Sequence, residues 1–528
     1  MNSVQIGSIG YYVKKERGKI LRIKNSLNNI MTGLVGQLIL TITGFVTRTV
    51  FINVLGSTYL GVSGLFSNIL TVLSFAELGV GQAIVFSLYK PIAEKDEEKI
   101  CSLMRLYSKI YHVLFVVVLT LGLLILPFLP YIIKDINSIP NIRIIYLMYV
   151  FNSASTYLFS YRGTFVTANQ KNYIINVISF GSNIVMAIIQ IICLVRFENY
   201  FLYLGIQIAF GVVQNIITYI YSSKEFPFLK KKNVKPLEKN ELTQIKENIK
   251  ALILYKIGTI SLNSTDNIII SSFVGVVTVG LYSNYLLLQT SVTGFLSTIF
   301  NNLTASIGNL NAKESNEKRI FIFNVINLAT FWFYSICSIC LFICMTPFIH
   351  IWIGDDYVLP LSVSLIIAVN TYIGGMLFAP FNYRQTMGIF VEGKWRPIIS
   401  AIINLVVSII FAKYWGLPGV LWGTAIARVT TNVWFDPYLV FRRGMQVSPI
   451  NYYIDYIKKG IQVIVIGGVC YFITNRIPDI SLLYLFVKAI ITFGVSFGLV
   501  FVFYCRTQEF RYLWNIVKNI KGIMKSKD

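Results

Sequence analysis

The sequence predicts an all-α polytopic membrane protein of about fourteen transmembrane helices: two parallel six-helix repeats and two further C-terminal helices. Three observations predict it. Of 528 residues, 55% are hydrophobic and 13% charged, with a mean hydropathy of +0.66, whereas a soluble domain carries about 25% charged residues. Apolar stretches of roughly 20 residues, the length of a membrane-crossing helix, recur along the whole chain. The chain also repeats itself. GLFSN at Gly64–Asn68 returns as GLYSN at Gly280–Asn284, and AEKDEEK at Ala93–Lys99 returns as AKESNEK at Ala312–Lys318. Pro127-Phe128 returns as Pro347-Phe348, and YRGT at Tyr161–Thr164 returns as YRQT at Tyr383–Thr386. Subtracting first residue numbers gives offsets of 216, 219, 220 and 222. Internal repetition on this scale, in so apolar a chain, is how many membrane transporters are built.

The elements follow in order. A basic segment, 1–27, precedes an apolar run too long for the core of a signal peptide, so that run reads as the first span. Hydropathy places the first six spans at about 28–54, 60–89, 103–133, 143–168, 172–195 and 200–222, which form an N-lobe over 28–222. A polar connector, 223–248, leads to six more at about 249–274, 277–307, 319–351, 359–388, 396–415 and 419–441, a C-lobe over 249–443. Two final spans at about 454–475 and 481–505 occupy 444–505, and 506–528 reads as an amphipathic tail on the cytoplasmic membrane surface. Six is even, so both repeats begin on the same face and are related by an axis along the membrane normal.

Orientation comes from lysine and arginine. The N-terminus, the stretches Lys90–Lys109 and Lys224–Lys256, Lys313–Arg319, Lys394, Arg396, Arg442–Lys459 and the tail fall on one side. With Arg162, Lys171 and Arg384 they hold 38 of the 46 basic residues. That asymmetry places both termini in the cytoplasm. The net charge of +23 is therefore a topology signal, and nucleic-acid binding is excluded. The seven cysteines lie in or beside apolar stretches; Cys337-x-x-Cys340 sits inside ICSICLFIC and reads as packing rather than a metal or redox pair.

Catalytic chemistry is thin. His112 and His350 have no metal-ligand neighbour in sequence. GIFVEGKW at Gly388–Trp395 has Trp where a nucleotide-binding loop needs Ser or Thr, and it follows a span rather than a strand. No ATP site or enzyme activity is expected, and no cofactor.

Polar residues inside spans say more. Gln37, Thr41, Gly44 and Arg48 lie on one face of the first span. The seventh span carries Thr259, Asn263, Asp266 and Asn267; the eighth carries Thr290, Thr293, Ser297, Asn301 and Thr304; the twelfth carries Thr424, Arg428 and Thr431. Glu77 sits in the second. A charge at the bilayer centre costs roughly 2.5–3.5 kcal/mol on insertion scales, so these groups are expected to face a bundle interior or a wet cavity. Single Ser and Thr positions read as glue between helices. Arg48 and Arg428 read as cavity-lining groups for an anionic ligand, because a guanidinium stays charged and its fork fits phosphate oxygens. Asp266 and Glu77 are open between pairing an arginine, binding a coupling cation such as Na⁺ or H⁺, and holding a helix.

The topology, with the segments VLGSTYLGVSGLFSNIL (Val54–Leu70), FAELGVGQAI (Phe75–Ile84) and YRGTFVTANQKNY (Tyr161–Tyr173), resembles the multidrug/oligosaccharidyl-lipid/polysaccharide exporter superfamily, and in its first third the Wzx-type polysaccharide repeat-unit flippases. The resemblance implies MATE-like lobes forming a V around a cavity with alternating access. It implies as cargo an undecaprenyl-diphosphate-linked oligosaccharide, moved to the outer leaflet of a bacterial inner membrane for capsule, O-antigen or exopolysaccharide assembly, with polymerase or assembly proteins as possible partners. Arg48 and Arg428 then become candidates for engaging the diphosphate, with Gln37, Thr41, Asn263 and Asn301 around the headgroup. The rival is a cation-coupled drug or metabolite exporter on the same scaffold, which calls for an acidic cavity. A membrane polymerase or ligase fits poorly, since every outside loop is under about 15 residues.

Overall fold

The computed structural model describes residues 2–73, 80–81, 87–88, 91–92, 94–133, 139–158, 160–169, 171–231, 235–243, 245–247, 249, 265–301, 307, 310–311, 314–389, 392–393 and 395–525. Among these residues the structure is helical, with no strand. The helices are α1 (Asn2–Leu73), α2 (Glu97–Ile125), α3 (Ile142–Ser155), α4 (Tyr161–Ala168), α5 (Asn172–Phe197), α6 (Tyr200–Glu225), α7 (Asp266–Phe273), α8 (Val276–Asn301) and α9 (Asn316–Ile353). They continue with α10 (Leu361–Met376), α11 (Phe378–Thr386), α12 (Arg396–Trp415), α13 (Leu417–Ala427), α14 (Val433–Leu439), α15 (Ile450–Thr474), α16 (Leu482–Tyr504) and α17 (Gln508–Lys525).

Nine helical runs among the described residues are long and apolar enough to cross a membrane, which makes the chain a multi-pass membrane protein. The first of these, Val35–Leu73, covers most of the first predicted span and the start of the second; the helix breaks at Gly56 (φ 77°), inside the gap the sequence predicts. The predicted fourth span is interrupted. Ser155 and Thr156 bond back to the carbonyls of Asn152 (2.8 Å) and Ser153 (2.7 Å), and a 3₁₀ turn at Thr156–Leu158 separates α3 from α4. Its repeat counterpart breaks at the matching place, Leu377, between α10 and α11.

The twelfth predicted span is also irregular. π-helical turns cover Arg428–Asn432 and Val440–Gly444 on either side of α14. Thr430 and Thr431 give their hydroxyls to the carbonyls of Ile426 and Ala427, and Pro437 removes one backbone donor.

Two compact units divide the chain. The first comprises Met1–Gly56, Ile69–Pro130 and Ile136–Lys256; the second comprises Ser57–Asn68, Tyr131–Asp135 and Ile257–Asp528. In the first unit, Tyr107, Tyr111, Tyr157 and Phe165 form the centre of the core, and Tyr107 donates to the Tyr111 hydroxyl at 3.0 Å. The connector folds onto this core: Leu229 and Ile245 are buried in it, and Ser102 donates to the Lys235 carbonyl at 2.7 Å. Two of its lysines are paired at the N-terminus of α2, Lys231 with Glu97 (3.3 Å) and Lys235 with Glu98 (3.4 Å). Part of the connector's charge thus serves local structure.

In the second unit α9 is the central post, with one side on α10 and the other on α15 and α16. The chain turns from α12 into α13 at Gly416 (φ 60°). The two helices then lie so close that a Cβ on Gly423 would fall 2.0 Å from Ser408 Oγ. Phe510 of α17 is buried against Trp332 and Phe501, which ties the start of the tail to the unit.

Candidate functional site

The close approach of α12 and α13 sets Asn404 and Ser408 against Thr424. Asn404 is wholly buried and donates its amide to Thr424 Oγ1 at 2.9 Å. Thr424 in turn donates to Asp266 Oδ2 at 2.9 Å, and Thr265 donates to Asn404 Oδ1 at 3.2 Å. Ser408 gives its proton to the Val420 carbonyl at 3.0 Å. One carboxylate, an amide and three hydroxyls from α7, α12 and α13 therefore form a single chain of hydrogen bonds. Among the described residues, Asp266 Oδ1 is buried with no hydrogen-bond donor. A buried carboxylate oxygen without a donor is costly unless a cation or proton reaches it.

Arg428 stands one turn beyond Thr424 on the same helix face. It donates to the backbone carbonyl of Asn370 at 2.9 Å and lies beside Gly374, where a Cβ would come within 3.2 Å of its guanidinium. Asp266 is within its electrostatic range. The structure thus brings together two residues that sequence reasoning named separately, Asp266 and Arg428. It adds Asn404 and Ser408, which that reading missed; their signal was a polar pair at i, i+4 inside an apolar helix.

Arg48 belongs to the first unit. It is half-buried on α1, within electrostatic range of Tyr149 and Tyr203. The Tyr149 and Tyr200 hydroxyls share a hydrogen bond of 3.0 Å nearby. Thr41 donates to the Gln37 carbonyl at 2.8 Å, so its hydroxyl is used within its own helix; Gln37 is half-buried on the same α1 face. Asn301 is exposed as the last residue of α8. Glu77 and Asn263 lie outside the described residues.

A second ionic centre was read from sequence as loop charge. Arg384 and Arg396 are buried, and both reach Asp436, Arg384 at 3.0 Å and Arg396 at 2.5 Å. The three residues tie α11, α12 and α14 together. The signal was Asp436, an acid inside the twelfth predicted span. Arg162, the repeat counterpart of Arg384, differs: it sits between the rings of Tyr161 and Tyr219 and donates to the Leu229 carbonyl at 3.4 Å. His350 contacts Asp355 at 2.5 Å, and no cluster of three or more His, Cys, Asp or Glu residues forms among the described residues.

Several solved structures share this fold. The lipid II flippase MurJ, in an inward closed conformation, superposes with a TM-score of 0.61 at 16% identity, over 91% of this chain and 99% of that one. An inward-facing multidrug resistance MATE family transporter of the MOP superfamily gives 0.57 at 13% identity, over 77% and 97%. A Vibrio cholerae MATE transporter gives 0.53 at 12% identity, over 80% and 97%. No curated protein matches the sequence. The fold is thus shared with MurJ and with MATE family structures. Residues 26–305 match the polysaccharide biosynthesis protein family, and the chain belongs to it.

Proposed function

We propose that the protein is a flippase that carries an undecaprenyl-diphosphate-linked oligosaccharide from the cytoplasmic to the outer leaflet of a bacterial inner membrane. The observation that carries this reading is the family match over residues 26–305, joined to a flippase fold that spans 91% of the chain. The physical task fits a transporter without catalytic groups. Each sugar hydroxyl stripped of water costs several kcal/mol unless a protein group replaces the bond, so the headgroup needs a polar path while its prenyl tail stays in lipid. Arg48 and Arg428 serve as the diphosphate partners, through the two-pronged geometry of guanidinium on phosphate oxygens.

The driving force is electrical and ionic. An inside-negative potential pushes the diphosphate outward, worth about 2.3 kcal/mol per charge per 100 mV. The Asp266–Thr424–Asn404 network supports a coupling cation as well, since its open carboxylate oxygen and surrounding hydroxyl and amide oxygens are hard ligands of the kind Na⁺ takes. Proton binding at Asp266 serves the same role. A cation-coupled export of small molecules uses the same network, and this second reading is separated from the first by phenotype.

The test is deletion of the gene followed by lipid extraction. Loss of the cell-surface glycan, with its undecaprenyl-diphosphate-linked unit accumulating on the cytoplasmic leaflet, supports the flippase. An unchanged surface glycan together with new drug sensitivity would assign the chain to small-molecule export.

A further inference from the structure

A cavity of about 510 Å³ lies outside the duplicated helices' polar networks, where the first turns of α9 and α15 meet the junction of α16 with α17. Its floor is polar and deeply buried. Lys459, 3% exposed, pairs with Asp455 Oδ2 at 2.6 Å, and its ammonium lies 5.5 Å from the centre of the Phe331 ring. Asn327, 2% exposed, gives its amide to the same carboxylate oxygen at 3.4 Å, but its own Oδ1 has no donor among the described residues. Among them the hydroxyl of Tyr452, 5% exposed, has no partner either. All four residues line the cavity, and Glu509 completes it within electrostatic range of Lys459.

The charges do not balance. One ammonium faces two carboxylates, so the cavity is negative on an end of the unit that otherwise carries Arg442, Arg443, Lys458, Arg506 and Arg511. The unfilled requirement is for donors. Asn327 Oδ1 and both carboxylates can only accept, and an orphaned buried acceptor costs about 1–3 kcal/mol. An anionic group at the floor would therefore meet two carboxylates against one ammonium, while the basic residues at this end can hold a phosphate outside it. A bare metal ion would fill about the share of one water, roughly 30 Å³, and leave most of the space empty. The volume and the acceptors together call for an organic cation with N–H groups.

We propose that this cavity binds a primary ammonium group, supplied by the headgroup of an aminophospholipid or by a soluble polyamine. The ammonium sits between Glu509 and Asp455 and donates to Asn327 Oδ1. The cavity lies where three spans end and the amphipathic α17 begins, the depth of a lipid headgroup, which favours the lipid source. The inference is independent of the cargo proposed above and of Arg48 and Arg428.

The experiment uses the full-length protein in nanodiscs of phosphatidylcholine mixed with phosphatidylethanolamine or with phosphatidylglycerol, with lipids retained after extraction counted by native mass spectrometry. A second arm adds spermidine to delipidated protein and reads the melting temperature. Phosphatidylethanolamine retained about tenfold over both other lipids, a preference expected of a charge-assisted hydrogen bond, supports the lipid source. Spermidine stabilisation without that retention supports the soluble amine at the same site. Glu509→Gln, at a half-exposed position, should cut either response about tenfold, and Asn327→Leu should remove it. Equal retention of the three lipids with no spermidine response, or an undiminished response in both variants, would overturn the proposal.

Discussion

Gly61 and Gly280 meet backbone to backbone. A Cβ on Gly61 would fall 2.0 Å from the Val276 carbonyl oxygen, and one on Gly280 would fall 2.3 Å from the Ser57 carbonyl oxygen. Neither position has room for a side chain, so only glycine permits the crossing of α1 beyond its break with the start of α8.

Gly280→Ala should push the two backbones apart and lower stability by about 1–3 kcal/mol, the usual penalty for overpacking. Gly205→Ala, at a helical position with no neighbour within 4 Å, should leave stability nearly unchanged. Thermal unfolding of the purified proteins measures both, and equal effects would contradict the close crossing.

Asp436 holds two buried guanidiniums. Asp436→Asn removes their shared anion and should destabilise by about 3–5 kcal/mol, as expected when one side of a buried ion pair is deleted. Arg384→Gln should be milder, because Arg396 still pairs with the carboxylate. Membrane yield and melting temperature report the order.

Thr424→Val leaves Asp266 Oδ2 without its donor, a loss of about 1.5–3 kcal/mol for a hydrogen bond to a charged group. Asp266→Asn removes the charge itself. If the network binds a coupling cation, wild-type protein should gain thermal stability on addition of Na⁺ or on acidification, and Asp266→Asn should abolish both gains and glycan export. A Na⁺ or pH response retained in Asp266→Asn would move the coupling site elsewhere.

Replacing Arg48 or Arg428 with Ala should abolish export while the protein remains in the membrane; Lys should restore part of it, since charge returns without the fork. Normal surface glycan in both Ala variants would remove these arginines from the transport path.

Much of the fold was legible because hydrophobic spacing and repetition are written locally. The gap before Ser57 in the hydropathy profile became the break at Gly56, and Pro347 and the YRQT motif marked the second repeat within a few residues. The site was legible in part. Asp266 and Arg428 stood out as charges inside apolar spans, where burial makes them expensive. Asn404 and Ser408 did not, because a neutral polar residue in a span has no distinguishing cost until its neighbour is known. Asp436 carried the same signal of a charge inside a span, but its partners Arg384 and Arg396, 52 and 40 residues away by subtraction of residue numbers, could not be paired with it from sequence.

Composition and periodicity were enough for a repetitive, multi-pass helical membrane protein, because burying apolar length in lipid requires nothing beyond the chain's own order of residues. Pairing was settled in three dimensions. Which hydroxyl satisfies Asp266, which carboxylate neutralises two arginines, and which lysine of the connector rests on Glu97 all depend on packing at distances of about 3 Å. Hydrogen bonds and ion pairs act over such short ranges that residues remote in sequence acquire partners once the helices are in contact.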